Sequence, residues 1–449
     1  MDMHKPVEFT KEMKNTYTIL APMMLPIHFQ LVVNVLNHEG YKVELLHTKG
    51  RSIVDEGLKN VHNDTCYPAL LVIGQLIDAL KSGSYDPNKT ALLITQTGGG
   101  CRASNYIYLL RKALKHAGFP QVPVISINFS NLEKHEGFSI TPAILTKAMF
   151  ALTYGDALMW LSNQCKPYEV QPGASQAVIE KWIAILDTKF ASQAYLRSAE
   201  IYEEMLDDFS KIERKKTSKI RVGIVGEIYM KYAPLGNNDL ESFLISEGAE
   251  PVVSGVMDFM MYTLKNSEID YELYGTGGKK RHVSAIGLML LKRVQKQMIH
   301  AIKKHGVFRA PASFATLERL VDGYIHKGVK MGEGWLLTSE MVELIESGVN
   351  NIVSAQPFGC LPNHIVARGM MRKIKDHYPQ ANIVAIDYDP SATAINQENR
   401  LKLMLANAKL GQRIQEVNAD AARPVQAELN RSASIRIISR ETADFATDE

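Results

Sequence analysis

Apolar positions along the chain change period in a regular way. Thr16–Leu20 is a short β-rich run, Pro22–Pro26 reads as a loop, and Ile27–Asn37 repeats its apolar residues at helical spacing. Gly40 stands where a helix C-cap belongs, and Lys42–Leu46 returns to a strand pattern. This is strand, loop, helix, strand, the grammar of a parallel sheet. It recurs with Leu70–Leu80 as helix, Thr90–Thr95 as strand, Gly98–Gly100 as loop, Asn105–His116 as helix and Pro123–Asn128 as strand. Right-handed units of this kind build an open sheet covered by helices on both faces.

The pattern shifts after Glu136. Pro142–Leu161 lacks strand punctuation and reads as helix, Lys166–Ala174 is a Pro/Gly loop, and Ser175–Glu213 is a long helical stretch broken at most once. The basic run Lys211–Lys219 reads as a solvated linker. The α/β grammar restarts at Ile220. Arg221–Val225 is a strand, Gly226–Gly236 a loop, Asn238–Ser246 a helix ending near Gly248, and Pro251–Val253 begins another strand. Later, Asn351–Ala355 and Asn382–Asp387 are strands, each followed by a helix, Pro362–Lys375 and Ser391–Ala408. From Gly411 the chain is polar and weakly patterned and reads as a mobile tail with a short strand at Ile435–Ile438. The expected organisation is an α/β lobe over 15–135, a helical insert over 136–218, a second α/β lobe over 219–410 and a tail over 411–449.

Composition narrows the class. A chain of 449 residues is long enough for two or three domains. Its 51 Lys and Arg against 48 Asp and Glu leave a net charge of +3, without the basic excess of a nucleic-acid or membrane-surface binder. No apolar run approaches the ~20 residues that span a bilayer. The segment Met1 to Lys14 is charged and has no apolar signal core, so no export signal is read there. Four cysteines in so long a chain are no disulfide framework. The expectation is a cytoplasmic protein with reduced thiols.

The cysteines carry the candidate chemistry. Cys66, in Asn63-Asp64-Thr65-Cys66-Tyr67-Pro68, precedes a helix. Cys101, after Gly98-Gly99-Gly100, and Cys360, in Pro357-Phe358-Gly359-Cys360-Leu361-Pro362, both lie between a strand end and a helix start. Loops at the carboxyl ends of parallel strands gather on one rim, so residues distant in sequence meet there. Helix N-termini favour thiolates, and flanking glycines let backbone approach bulky inorganic sulfur. Cys165 instead ends a helix, where the dipole disfavours a thiolate, and reads as an ordinary free cysteine. With no Cys-x-x-Cys pair, zinc ribbons and small ferredoxin patterns are excluded. Three readings stay open on position alone: an iron–sulfur cubane with one open iron, a zinc site completed by His364 four residues after Cys360, and three buried, unligated thiols.

The motifs Asn-Asp-Thr-Cys66-Tyr-Pro-Ala, Thr-Gly-Gly-Gly-Cys101-Arg-Ala-Ser-Asn-Tyr and Phe-Gly-Cys360-Leu-Pro-Asn-His-Ile resemble those of the 2-hydroxyacyl-CoA dehydratase and double-cubane-cluster superfamily. The nearer likeness is to its acyl-CoA dehydratase activase-related branch. The similarity takes in Gly226-Glu227-Ile228-Tyr229, Asn238, Glu241, Ala385-Ile386-Asp387-Tyr388-Asp389-Pro390 and Asn396, and reaches to about Ala408. The resemblance implies two flavodoxin-like lobes with an iron–sulfur cluster in the cleft, a [4Fe-4S] centre or part of a bridged double cubane, held by Cys66, Cys101 and Cys360. It also implies a homodimer, and low-potential electrons delivered by a partner ATPase of the activase type. The chain has no Gly-x-x-x-x-Gly-Lys-Ser/Thr phosphate loop, since Gly275-Thr-Gly-Gly-Lys-Lys has the wrong spacing, so that ATPase is expected to be a separate protein. The functions that follow are reductive chemistry on a small substrate, a 2-hydroxyacyl-CoA dehydratase subunit, or an electron relay with no substrate.

Other residues are candidates by position. His28, at a helix start after a loop, and Glu227, just past a strand, are candidate proton donors, each with a structural role as the alternative. Asn105, Asn363 and His364 are placed to tune a cluster by hydrogen bonding, with capping the alternative for the asparagines. Asp387 and Asp389 at a strand end are explained by capping.

Overall fold

The structure, a computed structural model, describes residues 6–62, 64–96, 100–127 and 135–413. Two compact units divide the chain at Glu398/Asn399. The described part of the second unit, 399–413, is helical. The expected strand at Ile435–Ile438 and most of the expected Gly98–Gly100 loop lie outside the described residues.

The first unit is an α/β structure built on two four-stranded, all-parallel sheets. The first contains β1 (Thr18–Ala21), β2 (Val43–Leu45), β3 (Thr90–Thr95) and β4 (Val124–Ile127), in the order β2-β1-β3-β4. The second contains β5 (Ile220–Gly226), β6 (Ala249–Val253), β7 (Asn351–Pro357) and β8 (Asn382–Tyr388), in the order β6-β5-β7-β8. The topology is the same twice: the first strand of each lobe sends its successor to one side and the third strand returns on the other. The central strands are near-continuous apolar runs because helices cover both faces. Each sheet therefore has a switch point, between β1 and β3 and between β5 and β7, where a crevice opens beyond the strand ends.

A helical body completes the unit. The helices Pro142–Cys165, Ala174–Phe190 and Ser198–Ser210 bury Tyr154, Trp182, Tyr202 and Phe209 in one core. Ser175–Glu213 is indeed broken once, at 191–197, and the Lys211–Lys219 run is largely exposed. The helix Gly278–His305, from within the stretch read as the second lobe, also packs Val294, Met298 and Ile302 into this core. The helical body thus draws on more of the chain than 136–218. Several helices are additional to the sequence reading, among them Lys11–Thr16, Arg51–Asn60, Val256–Tyr274 and Gly334–Glu346. The helix after β7 is shorter than Pro362–Lys375: it runs Leu361–Val366, passes through a 3₁₀ turn, and resumes at Met371. Among the described residues, no helix is long and apolar enough to cross a membrane.

Candidate functional site

All three rim cysteines sit at the residue before a helical turn. Cys66 is the N-cap of the Tyr67–Lys81 helix, whose Pro68 presets the first turn. Cys101 precedes the 3₁₀ turn Arg102–Asn105, and its carbonyl accepts from the Ser104 N–H (3.2 Å) and hydroxyl (2.7 Å). Cys360 is the N-cap of Leu361–Val366, reached by a turn at Gly359 with φ of +72°. A Cβ at Gly359 would lie 3.2 Å from Cys66 Cα, so that glycine lets the second lobe close on the first. A backbone hydrogen bond crosses at the same point, from the Tyr67 N–H to the Phe358 carbonyl, 3.0 Å. Two further links join the lobes nearby, Lys49 to Asp239 at 2.8 Å and Arg51 to the Pro390 carbonyl at 3.0 Å.

The thiols are gathered into one electrostatic neighbourhood. The Cys66 sulfur lies 2.9 Å from the hydroxyl of Tyr106, the residue that opens the helix after Cys101. Burial pushes the Cys66 thiol up to about 11, the Tyr106 hydroxyl opposes this, and Glu227 and Cys101 add to it. Burial also raises Cys101, with Glu333 and Glu227 adding to it. Cys360 is raised furthest, by burial and then by Glu227, Glu333 and Cys66. The N–H groups of Ala69 and Asn363 lean toward Cys66 and Cys360 and ease a thiolate, although neither forms a capping hydrogen bond. Cys66 and Cys360 are buried; Cys101 and Glu227 are partly open to solvent.

Two carboxyls complete the setting. Glu227 follows β5 and accepts the Met230 N–H at 3.0 Å; Glu333, from the loop before Gly334–Glu346, accepts the Ile228 N–H at 2.9 Å. Both secure the short helix Ile228–Tyr232. Burial and its neighbour Glu333 hold the Glu227 carboxyl well above the usual range. Glu333 is raised by burial and then by Glu340, while Lys231 pulls it down. Two acids so placed resist ionising together. Lys231 itself is buried in an ion pair with Glu340, 2.8 Å, that ties the two helices together.

Several polar atoms here are unsatisfied. Tyr229 Oη, both amide atoms of Gln356 and Asn363 Oδ1 are buried without a hydrogen-bond partner. Tyr229 is two residues from Glu227, Asn363 is three from Cys360, and the strand register places Gln356 one step beyond the Gly226–Ala355 pair. Each such atom costs about 1–3 kcal/mol unless something completes it.

The other sequence candidates fall differently. His28 is buried and bonds Asp156 Oδ1 at 2.8 Å; the Asp156 carboxylate also takes the N–H groups of Val256 and Met257, so the pair anchors the Val256–Tyr274 helix. His28 is not among the groups that act on the thiols. Asn105 is exposed and makes no side-chain cap. His364 is exposed and its Nδ1 lies 2.8 Å from the Cys360 carbonyl. Asp389 caps the Ser391 and Ala392 N–H groups, and Asp387 meets Arg368 at 3.1 Å. Cys165 is fully buried in the helical core with its sulfur toward the Phe209 carbonyl, 3.7 Å. Glu333 and Tyr106 escape the sequence reading; Tyr106, five residues after Cys101, was within reach of it.

Among the described residues no group of three or more His, Cys, Asp or Glu converges tightly enough for a single metal ion. A mononuclear zinc ion needs sulfurs about 2.3 Å from one point. A cubane takes one thiolate per iron and so accepts donors spread more widely. The donor set fits such a group chemically: three thiols from three loops, with acids rather than cations among the charged groups acting on them. Bound iron provides the positive charge that deprotonates such thiols.

No protein-family model matches the chain, and no curated protein matches it.

Proposed function

We propose that this chain is an iron–sulfur protein whose cluster is held by Cys66, Cys101 and Cys360 at the junction of the two lobes. It takes low-potential electrons from a separate ATP-hydrolysing activase and uses them in reductive chemistry on a small molecule. The carrying observation is the convergence of three helix-start thiols with the Glu227 and Glu333 carboxyls. The likeness of the three cysteine motifs to the dehydratase and double-cubane superfamily supports the same reading.

When bound, the cluster supplies one-electron reduction and an open coordination position. The chain's own groups do the rest. With Cys66 a thiolate, the Tyr106 hydroxyl 2.9 Å away is the donor of their hydrogen bond and so favours the reduced, more negative state. Burial and Glu333 disfavour the charged form of Glu227 and so favour the carboxylic acid that can donate a proton, and its partial exposure leaves that acid open to a substrate. Tyr229, Gln356 and Asn363 hold unpaired donors and acceptors that orient the substrate. Phe358, Leu361 and Ile365, exposed around Cys360, form an apolar rim for the electron-delivering partner.

Anaerobic purification followed by iron and sulfide counting tests the assignment. The expected product is brown, with broad absorption near roughly 400 nm and about four irons per cubane. Cys66→Ala, Cys101→Ala and Cys360→Ala each lose most of the iron, whereas Cys165→Ala keeps it. A colourless protein with stoichiometric zinc, or cysteine variants that retain iron, overturns the reading. Titrating the reduced protein with acyl-CoA and with small ligands separates dehydratase, small-molecule reductase and relay.

A further inference from the structure

The antiparallel helices Val256–Tyr274 and Gly278–His305 form a hairpin whose inner face is well packed. Met257, Met261 and Ile269 on one helix meet Leu288 and Leu291 on the other in a shared core. The tip is ordered by its own contacts: Arg281 stacks on the Tyr271 ring at 4.5 Å, and Lys330 pairs with Asp270. Yet this tip is apolar on its outside. Val283 is 72% exposed and Met289 62% exposed, and Ile286, Leu290, Leu273 and Tyr274 are exposed with them. Val283, Ile286 and Leu290 recur at three- and four-residue spacing and so share a face distinct from the buried Ser284–Leu288–Leu291 stripe. Soluble monomers rarely leave such a face uncovered.

The charges say what covers it. The Gly278–His305 helix carries eight Lys or Arg and no acidic residue, whereas the last two turns of the preceding helix carry Glu268, Asp270 and Glu272. Among the described residues Glu272, Lys279, Lys280 and Arg293 form no ion pair within the chain. Glu268 and Asp270 are paired within the chain, with Lys265 and Lys330, so the unpaired charges flanking the apolar face are Glu272 on one helix and Lys279, Lys280 and Arg293 on the other. A two-fold axis through that face, with the tips pointing opposite ways, sets Glu272 of each copy against the basic helix of its mate. An anionic lipid surface leaves Glu272 without a partner.

We propose that the hairpin tip is the contact between two copies of this chain, an isologous four-helix interface centred on Ile286 and Leu290 with Glu272 facing Arg293 across it. It depends on none of the thiol chemistry, so its failure leaves the iron–sulfur reading standing, and the reverse.

Sedimentation of the anaerobically purified full chain tests it. The expected species has twice the 50.1 kDa mass of one chain. Ile286→Glu with Met289→Glu raises the dimer dissociation constant by ~30-fold or more, with the melting temperature of the monomer unchanged because both side chains are exposed. Glu272→Arg and Arg293→Glu each weaken the dimer by ~3–10-fold, and the two together recover most of the loss. A chain that stays monomeric at tens of micromolar, a dimer indifferent to Ile286→Glu with Met289→Glu, charge reversals without mutual rescue, or a monomer that instead sediments with anionic vesicles overturns it.

Discussion

Depth alone does not distinguish the cysteines; what surrounds each sulfur does. Cys165 and Cys66 are both buried and both pushed up to about 11 by burial, yet Cys66 is acted on by a phenol, a carboxyl and a second thiol, while Cys165 lies toward a backbone carbonyl in an aromatic core with Arg214 and Glu169 as its charged neighbours. The three cysteines were legible because glycine and proline punctuation marks each helix start, after a strand for Cys101 and Cys360 and after the helix Arg51–Asn60 for Cys66. Glu227 was legible for the same reason. Glu333 was not, because the segment before it has neither strand nor helix periodicity and its role is set by what packs over it. A carboxyl elsewhere gives a sharper test. Glu343 is raised from 4.5 to about 7 by burial and then by Glu340, against the pull of Lys231. The folded state holds its proton over that interval while the unfolded chain has lost it. This contribution to stability is therefore complete below about pH 4.5 and disappears as pH rises through about 7. Urea unfolding at pH 5 and pH 8 should show Glu343→Gln losing less stability between the two than the parent does. The difference is on the order of 2–3 kcal/mol, less whatever solvent screens. Equal pH slopes in the two proteins remove Glu343 as the cause.

At the scale of elements, strands followed by capped helices were readable and the helical hairpin was not. A strand in a covered parallel sheet announces itself as a short apolar run between turn residues. The Gly278–His305 helix instead carries apolar residues on two faces, one toward the core and one outward, so no single stripe identifies it. The helix after β7 is shorter than its apolar pattern because the 3₁₀ turn Arg368–Met370 separates two short helical pieces. The element that positions the carboxyls depends on one backbone feature. Gly226 ends β5 at φ of +154°, and a Cβ there would lie 2.3 Å from the Ala355 carbonyl oxygen. Gly226→Ala must therefore push β5 from β7 or swing Glu227 away. The expected cost is about 3 kcal/mol or more. Calorimetric melting and iron content should fall together; an alanine variant that melts and loads like the parent means the strand end has slack.

The first unit repeats one sheet topology, and its two lobes touch where Gly359 packs on Cys66. Cys66 and Cys101 come from the first lobe and Cys360 from the second, so a ligand shared by all three binds the lobes to each other as well as to itself. Polar links such as the Tyr67 N–H to Phe358 carbonyl bond and the close packing of Gly359 on Cys66 cross the junction without it. A ligand that binds only the closed arrangement stabilises that arrangement by its own binding free energy. Removing metal by anaerobic chelation should therefore speed hydrogen exchange around Cys66, Cys101 and Cys360 together, by ~10-fold or more at the Tyr67 amide. Amides in the helical core around Tyr154 and Trp182 should keep their rates, since that core is closed by its own side chains. Protection lost on only one lobe means the sulfurs do not share a ligand. Loss spread evenly through the helical core means the metal supports folding as a whole rather than the junction.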